Sequence, residues 1–187
     1  MRPGLIVGPC DGTDRFGYWV ARFLLPGLLG ERPAVAVVPG PPTRPLQFVD
    51  GRDLAAFLLD LAARRVGGTF NACSDRGQWT MGALVEALVA AAARRSVTTR
   101  PVWRDDKSLL ARGVVPWTGL PLWIPDSAAA ATGFMEFDCR RAHRAGLAER
   151  PLAVTIDDTA EWLAARDNAS AWQNVMSAAQ ERSLTRS

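Results

Sequence analysis

The chain has 187 residues, of which 48% are hydrophobic and 22% charged, and its net charge is +3. This composition excludes a mostly disordered chain, because the apolar fraction is too high, and no apolar run approaches the roughly 18–20 residues that a membrane span needs. The basic residues are scattered and barely outnumber the acidic ones, so no nucleic-acid partner is expected, and the start lacks a signal-peptide pattern, which predicts a cytoplasmic protein.

Short β-like runs alternate with helical stretches along the chain. The predicted strands are Leu5–Val7, Ala34–Val38, Leu46–Val49, Thr69–Cys73, Thr98–Trp103 and Phe134–Phe137. The predicted helices are the segment from a cap at Thr13 or Asp14 to Pro26, then Arg52–Arg65, Met81–Arg95 with Thr80 as its cap, Asp105–Arg112, Arg140–Ala145 and Thr155–Arg166. This order predicts a layered α/β fold over residues 1–166. Residues 167–187 are polar and weakly patterned, so we expect a frayed helix or a disordered tail.

The cysteines and the single histidine restrict the chemistry. Cys10, Cys73 and Cys139 lie far apart and form no CxxC pair, so neither a zinc ribbon nor a redox dithiol is supported. His143 lies in CRRAHRAG, where we expect it on the surface, and no GxSxG motif accompanies it. No metal site is therefore expected.

Five segments, in this order, are similar to one known pattern. RPGLIVGP at 2–9 resembles the strand and loop after the catalytic Tyr-x-x-x-Lys helix of extended short-chain dehydrogenases/reductases, the NAD-dependent epimerase/dehydratase family. LQFVDGRDLAAFLL at 46–59 and GGTFNACSD at 67–75 resemble its strand-to-helix segment and its Gly-x-x-Tyr/Phe-Asn strand. WTMGALVEAL at 79–88 and RPLAVTIDDTAEWL at 150–163 resemble its capped helix and its closing helix. The resemblance implies the C-terminal part of a Rossmann-like extended reductase fold, a small sheet with packed helices, and a bacterial source.

Two motifs of that family have no counterpart here. The G-x-x-G-x-x-G turn, which seats a pyrophosphate at a helix N-terminus, would need a third glycine after Gly27 and Gly30, but position 33 is Pro33. Tyr18 is the only tyrosine, and Arg22 stands where the catalytic pair requires a lysine. No catalytic residue is therefore assigned, and the chain resembles the family's C-terminal portion without its dinucleotide-binding half.

The resemblance also implies where ligands would lie. Pro3, Gly4, Leu5 and Ile6 would run beside the nicotinamide of NAD or NADP, although binding by this chain alone is not expected. Asp53 would be structural, as a charge and cap at its helix start and through hydrogen bonds to the Gly8-Pro9 loop. The substrate-facing candidates are Cys10, Asp14, Arg15, Phe16, Trp19, Arg44, Gln47, Trp117 and Trp123. The loop tryptophans could line an apolar pocket or could equally cap the core.

Two kinds of function remain open at this point. The first is a fragment of an NAD(P)-dependent oxidoreductase or epimerase that acts on a small organic substrate such as an aldehyde, ketone or sugar nucleotide. That fragment would be inactive without its cofactor-binding half, supplied as a separate N-terminal partner. The second is a non-catalytic module that binds a small molecule or a partner, or an inert truncated remnant. Self-association through an exposed strand edge and apolar face is expected in either case.

Overall fold

The computed structural model describes residues 1–128, 133–166 and 172–185. Its strands are β1 (Arg2–Pro3), β2 (Leu5–Val7), β3 (Val35–Pro39), β4 (Pro45–Leu46), β5 (Phe48–Asp50), β6 (Asn71–Ala72), β7 (Trp79–Thr80) and β8 (Arg100–Arg104). Its helices are α1 (Arg15–Leu24), α2 (Gly51–Ala63), α3 (Met81–Arg94), α4 (Asp106–Ala111), α5 (Arg140–Ala145), α6 (Leu152–Ala165) and α7 (Ala178–Thr185). Strands and helices alternate over most of the chain, which confirms the predicted α/β class.

The strands pair mostly in parallel. β1 pairs with β6, β2 with β5, and β3 with β8, all in parallel, whereas β4 and β7 are antiparallel. Ser74 N donates to Phe48 O at 2.9 Å, so the segment just after β6 lies beside the first residue of β5. Both therefore lie along the same edge of the segment Arg2–Val7. Among the described residues, no strand pairs with the opposite edge of that segment.

Side-chain caps start several of the helices. The Asp50 carboxylate accepts from Arg52 N at the start of α2, and the Asp105 carboxylate accepts from Ser108 N at the start of α4. Thr80 Oγ1 accepts from Ala83 N at 3.1 Å, which confirms the predicted cap of α3. Because these caps satisfy backbone N–H groups that have no partner inside the helix, they fix where each helix begins.

Two apolar clusters form the core. The larger one surrounds α1, against which both α3 and α6 pack, and every residue from Phe16 to Leu24 is buried. The sequence pattern predicts burial of only one side of this helix, but neighbours on several sides cover it. The smaller cluster lies between α2 and α5 and contains Phe57, Phe70 and Leu61. None of the described helices has both the length and the apolar character that crossing a membrane requires.

Two predicted elements differ from the structure. Phe134–Phe137 is not a strand, because Gly133 and Met135 both have positive φ angles, of 72° and 61°, which are incompatible with an extended ladder. Helix α6 begins at Leu152 and not at Thr155 or Ile156. Pro151 precedes its first residue, a position where the missing N–H and fixed φ of proline favour helix initiation.

The C-terminal segment also differs from its expectation. Positions 167–171 and 186–187 of the predicted frayed or disordered tail lie outside the described residues. Between them, α7 packs against β3 and buries Leu184 and Glu181. The Glu181 carboxylate accepts from Arg22 Nε at 2.8 Å, from Arg32 Nη1 at 3.0 Å and from Val37 N at 3.3 Å. Such long-range bonds cannot be predicted from the local sequence pattern of a polar segment.

We predict that Glu181→Ala destabilises the protein by about 3–5 kcal/mol, because it leaves two buried guanidinium groups without a counter-charge. Urea unfolding followed by circular dichroism measures this loss. The matched control is Glu161→Ala on α6, where the side chain is exposed and the expected change stays within about 0.5 kcal/mol. Equal effects of the two substitutions would show that α7 contributes little to stability.

Candidate functional site

An open, mostly apolar cavity lies beside the first strand. Its volume is about 330 Å³, near the lower end of the range for small-molecule sites. It is lined by Pro3, Gly4, Leu5, Gln47, Trp117, Phe134, Met135 and Phe137. Three predicted cofactor residues and two predicted substrate residues therefore meet at one cavity.

A groove runs along the other side of the same strand. It is lined by Gly4, Leu5, Ile6, Val7, Pro9, Cys10, Asp11, Gly12, Thr13 and Gly51. The groove thus follows β2 past its carboxyl end and reaches the carboxyl end of β5, which is where α/β folds bind their ligands. Cys10 lies here, exposed and with a φ of 69°. Gly4 and Leu5 contact both the cavity and the groove.

The backbone between cavity and groove has one carbonyl that faces away from β6. Arg2 N donates to Phe70 O at 2.8 Å and Gly4 N donates to Ala72 O at 3.0 Å. Because successive residues of a strand direct their polar groups to alternate edges, the Pro3 carbonyl faces the other edge. Pro3 has no N–H to donate there, and Leu5 pairs with Phe48 of β5.

One wall of the cavity is aromatic and carries a nearby cation. The Trp117 and Phe134 rings meet edge to face, with centroids 5.2 Å apart. The Arg15 guanidinium lies over Trp117, 5.1 Å from the ring centroid. Arg15 Nε is buried and has no hydrogen-bond partner among the described residues. A ligand with a negative group beside an apolar ring would match this arrangement.

Gln47 holds the opposite wall in place. Its amide nitrogen donates to Ser74 O at 2.8 Å and to Phe137 O at 2.9 Å, and its amide oxygen accepts from Phe137 N at 2.7 Å. Both amide hydrogens are used in these bonds. Gln47 therefore shapes the cavity by fixing Phe137 and has no free donor for a ligand.

Five of the predicted substrate residues do not reach the cavity. Phe16, Trp19 and Trp123 are fully buried in the core. Phe16 packs against Phe48, Trp19 Nε1 donates to Pro121 O at 3.2 Å, and Trp123 Nε1 donates to Asp106 Oδ1 at 2.8 Å. These three side chains are used in long-range packing and hydrogen bonding, and they line neither the cavity nor the groove.

Asp14 and Arg44 are also held by distant segments of the chain. Asp14 is fully buried at the start of α1, where its carboxylate accepts from Arg166 and from Gln173 N at 2.7 Å. The Arg44 guanidinium contacts Asp106 and Asp126, each at 2.7 Å, and also donates to two backbone carbonyls. Both residues join distant segments of the chain, and neither lines the cavity that contains Trp117.

Asp50, and not Asp53, lies against the loop after β2. The Asp53 carboxylate accepts from Arg150 N and from Arg150 Nε, both at 2.9 Å, and not from the Gly8-Pro9 loop as predicted. Asp50 caps α2, accepts from Thr155 Oγ1 at 2.8 Å and lies against Gly8. A Cβ at Gly8, where φ is 108°, would come within 3.0 Å of the Asp50 carboxylate.

The pair that resembles a catalytic tyrosine and lysine lies in the core. The Tyr18 hydroxyl is buried without a hydrogen-bond partner among the described residues. Burial, reinforced by the charge of Glu181, holds the Tyr18 pKa well above its ordinary value. Arg22 donates to Glu181 and to the carbonyls of Pro33 and Val35. Neither side chain can exchange a proton with a ligand in the cavity.

Some residues of the site carry no sequence signal. Phe134, Met135 and Phe137 line the cavity, yet their alternating pattern indicates a strand.

His143 is half-buried and not on the surface as expected, because its Nε2 lies 3.0 Å from Cys73 O. Among the described residues, no group of three or more His, Cys, Asp or Glu side chains could hold a metal ion.

Parallel strands with packed helices, and a groove at the carboxyl ends of those strands, define an α/β protein. No family model and no curated protein matches the chain. The solved structure of RMD from Pseudomonas aeruginosa complexed with NADPH matches with a TM-score of 0.57 and 16% identity, over 89% of this chain and 48% of that one. The chain thus spans about half the length of that structure and shares its fold.

The Asp50 contacts predict an acid-dependent stability. Burial alone would raise the Asp50 pKa, but hydrogen bonds from Arg52 and Thr155 outweigh it and hold the pKa below its ordinary value of 3.8. The stabilisation is therefore complete above pH 3.8 and is lost as the pH falls through the lower folded pKa.

We expect Asp50→Asn to cost about 1–3 kcal/mol of unfolding free energy at pH 7, and its stability to fall less steeply than that of the parent protein below pH 4. Urea unfolding across pH 2.5–7 measures both. Asp60→Asn, which removes a half-exposed charge from the same helix, is the control, with a change within about 0.5 kcal/mol. Parallel pH profiles for the parent protein and Asp50→Asn would contradict the prediction.

Proposed function

We propose that this chain forms the substrate-side portion of an NAD(P)-dependent reductase. In this proposal the edge Pro3–Ile6 receives the nicotinamide, and the cavity with Trp117 receives a small organic substrate. One observation carries it: residues assigned separately to cofactor and to substrate meet on the two sides of a single unpaired strand edge.

The chain's residues fit the nicotinamide end of the cofactor. The Pro3 carbonyl on the edge away from β6 can accept a hydrogen bond from a carboxamide N–H. The apolar walls suit an aromatic ring. When bound, the cofactor supplies the hydride that reduces the substrate. The protein's own part is to orient the ring and to exclude water from it.

The pyrophosphate end finds no equivalent fit among the described residues. Gly27 and Gly30 form a tight turn with positive φ after the end of α1, whereas a pyrophosphate requires a glycine turn that leads into a helix. The cavity walls also contain no group that titrates near neutral pH. The proposed reductase therefore needs a second half that carries the glycine turn and the proton donor.

Exposed apolar side chains support such a partner. Ile6 on β2 is 42% exposed, and Leu58 and Leu59 on α2 are 43% and 72% exposed. Exposed apolar side chains favour burial against another protein surface. A reading frame in the flanking DNA that encodes the glycine turn and a Tyr-x-x-x-Lys motif would supply this half.

A specific observation favours a second candidate, a non-catalytic small-molecule-binding module. The cavity is walled by apolar and aromatic side chains, and its one polar side chain, Gln47, is already hydrogen-bonded. Such a site can bind a ligand without acid or base chemistry. The two candidates differ in whether the free backbone edge recognises nicotinamide.

We expect nicotinamide mononucleotide to shift the amide resonances of Gly4, Leu5 and Ile6 in the ¹⁵N-labelled chain, with weak affinity. Adenosine monophosphate should shift none of them, because the proposal assigns the adenosine contacts to the second half. NADPH should bind no more tightly than the mononucleotide, as calorimetric titration can show.

Trp117→Ala should weaken binding of nicotinamide mononucleotide about 2–10-fold through loss of ring contact. Trp162→Ala, which removes a half-buried tryptophan from α6 and not from the cavity, should leave it unchanged. Equal responses to the two nucleotides, or micromolar binding of NADPH by the chain alone, would refute the proposed division of the cofactor. Binding of an apolar ligand without nicotinamide recognition would favour the second candidate.

The exposed apolar face predicts concentration-dependent self-association of the isolated chain. Light scattering should detect it, and Leu59→Lys should reduce it by placing a charge on that face. Leu110→Lys on α4, where the leucine is 43% exposed, is the matched control and should have no effect. A clean monomer at high concentration for the unsubstituted chain would argue against a partner-binding face.

A further inference from the structure

Two cysteines that are far apart in the sequence meet directly behind the first strand. Cys73 follows β6 and Cys139 immediately precedes α5, and their Sγ atoms are 2.9 Å apart. Both side chains are 1% exposed. The spacing of the cysteines gave no support for a redox dithiol, and the fold corrects this by bringing the two thiols together.

We propose that Cys73 and Cys139 form a reversible disulfide that fixes one wall of the cavity. The oxidant is a small-molecule disulfide. The thiolate of one cysteine attacks it, forms a mixed disulfide and releases the first small thiolate; the thiolate of the other cysteine then attacks the protein sulfur of that bond and releases the second. Two electrons pass from the cysteines to the small disulfide, and the two protons of the cysteines end on the released thiols.

The bond would act on the segment that contains Phe134 and Phe137. This segment has no strand ladder, and besides Gln47 its described backbone bonds include Asn71 Nδ2 to Asp138 O at 3.2 Å. Cys139 lies two positions after Phe137. A covalent link from Cys139 to Cys73 would therefore tie the wall to β6 and restrict how far it can open.

Two other roles for the cysteine pair are disfavoured by its surroundings. The imidazole of His143 contacts the Cys73 carbonyl and not the thiol, so it is not placed to act as a base for a cysteine nucleophile. A metal would need further ligands, and the described residues contain no group that could supply them. Burial, followed by the hydrogen bond with Cys139, raises the Cys73 pKa, so oxidation should be slow and should require local opening of the wall.

The test uses the full chain with Cys10→Ser, which removes the exposed thiol. After incubation with oxidised glutathione, acid quenching, unfolding and alkylation, we expect no alkylated cysteine and a mass lower by about 2 Da. The melting temperature should rise by roughly 5–15 °C on oxidation. Hydrogen exchange at the Phe137 amide, which bonds to Gln47 Oε1, should slow in the oxidised form and recover on reduction.

Cys10→Ser/Cys139→Ala is the matched control, and glutathione should change neither its melting temperature nor exchange at Phe137. The same Cys10→Ser protein oxidised in urea shows that the reagent is competent. Three results would overturn the proposal: two alkylatable thiols after native oxidation while the urea sample forms the bond, a stable glutathione adduct on either cysteine, or a disulfide that leaves Phe137 exchange unchanged.

Discussion

Pairing along only one edge of the segment Arg2–Val7 is the constraint on which the candidate site depends. The paired edge uses the amides of Arg2 and Gly4, and the Pro3 carbonyl is left on the other side. Such an edge is completed by another strand or by a ligand with amide-like groups. The cavity and the groove both border Gly4 and Leu5 of this segment, so a ligand in either would contact the same backbone.

Much of the fold could be predicted because its signals are local. The strand Leu5–Val7 and the helix Arg140–Ala145 have the predicted bounds, and the Thr80 cap fixes α3 from within four residues of sequence. The alternating side-chain pattern of Phe134–Phe137 predicted a strand wrongly, because a residue with a left-handed backbone conformation cannot be recognised from side-chain polarity. The helix α7 could not be predicted either, since Glu181 is held by Arg22, 159 positions away.

The residues considered for the candidate site likewise divide into those argued from local sequence and those whose role depends on long-range contacts. The assignment of Pro3–Ile6 to the cofactor stays a prediction, and it rests on a resemblance in sequence over one continuous backbone segment. Arg44 and Trp19 look like ligand groups in isolation, but their partners Asp126 and Pro121 lie 82 and 102 positions away. A polar or aromatic side chain in a loop is equally suited to joining distant segments and to binding a ligand, and only its three-dimensional neighbours decide between the two.

Gly4 connects the strand edge to the buried cysteines. A Cβ at this position would lie 2.8 Å from Cys73 Cβ and 3.1 Å from Cys73 Sγ, so the close approach of strand and cysteine requires a glycine. The same residue lines the cavity on one side and the groove on the other. A change in the bonding of Cys73 would therefore act first on Gly4. The backbone proposed to hold the nicotinamide is thus the direct neighbour of the thiol pair.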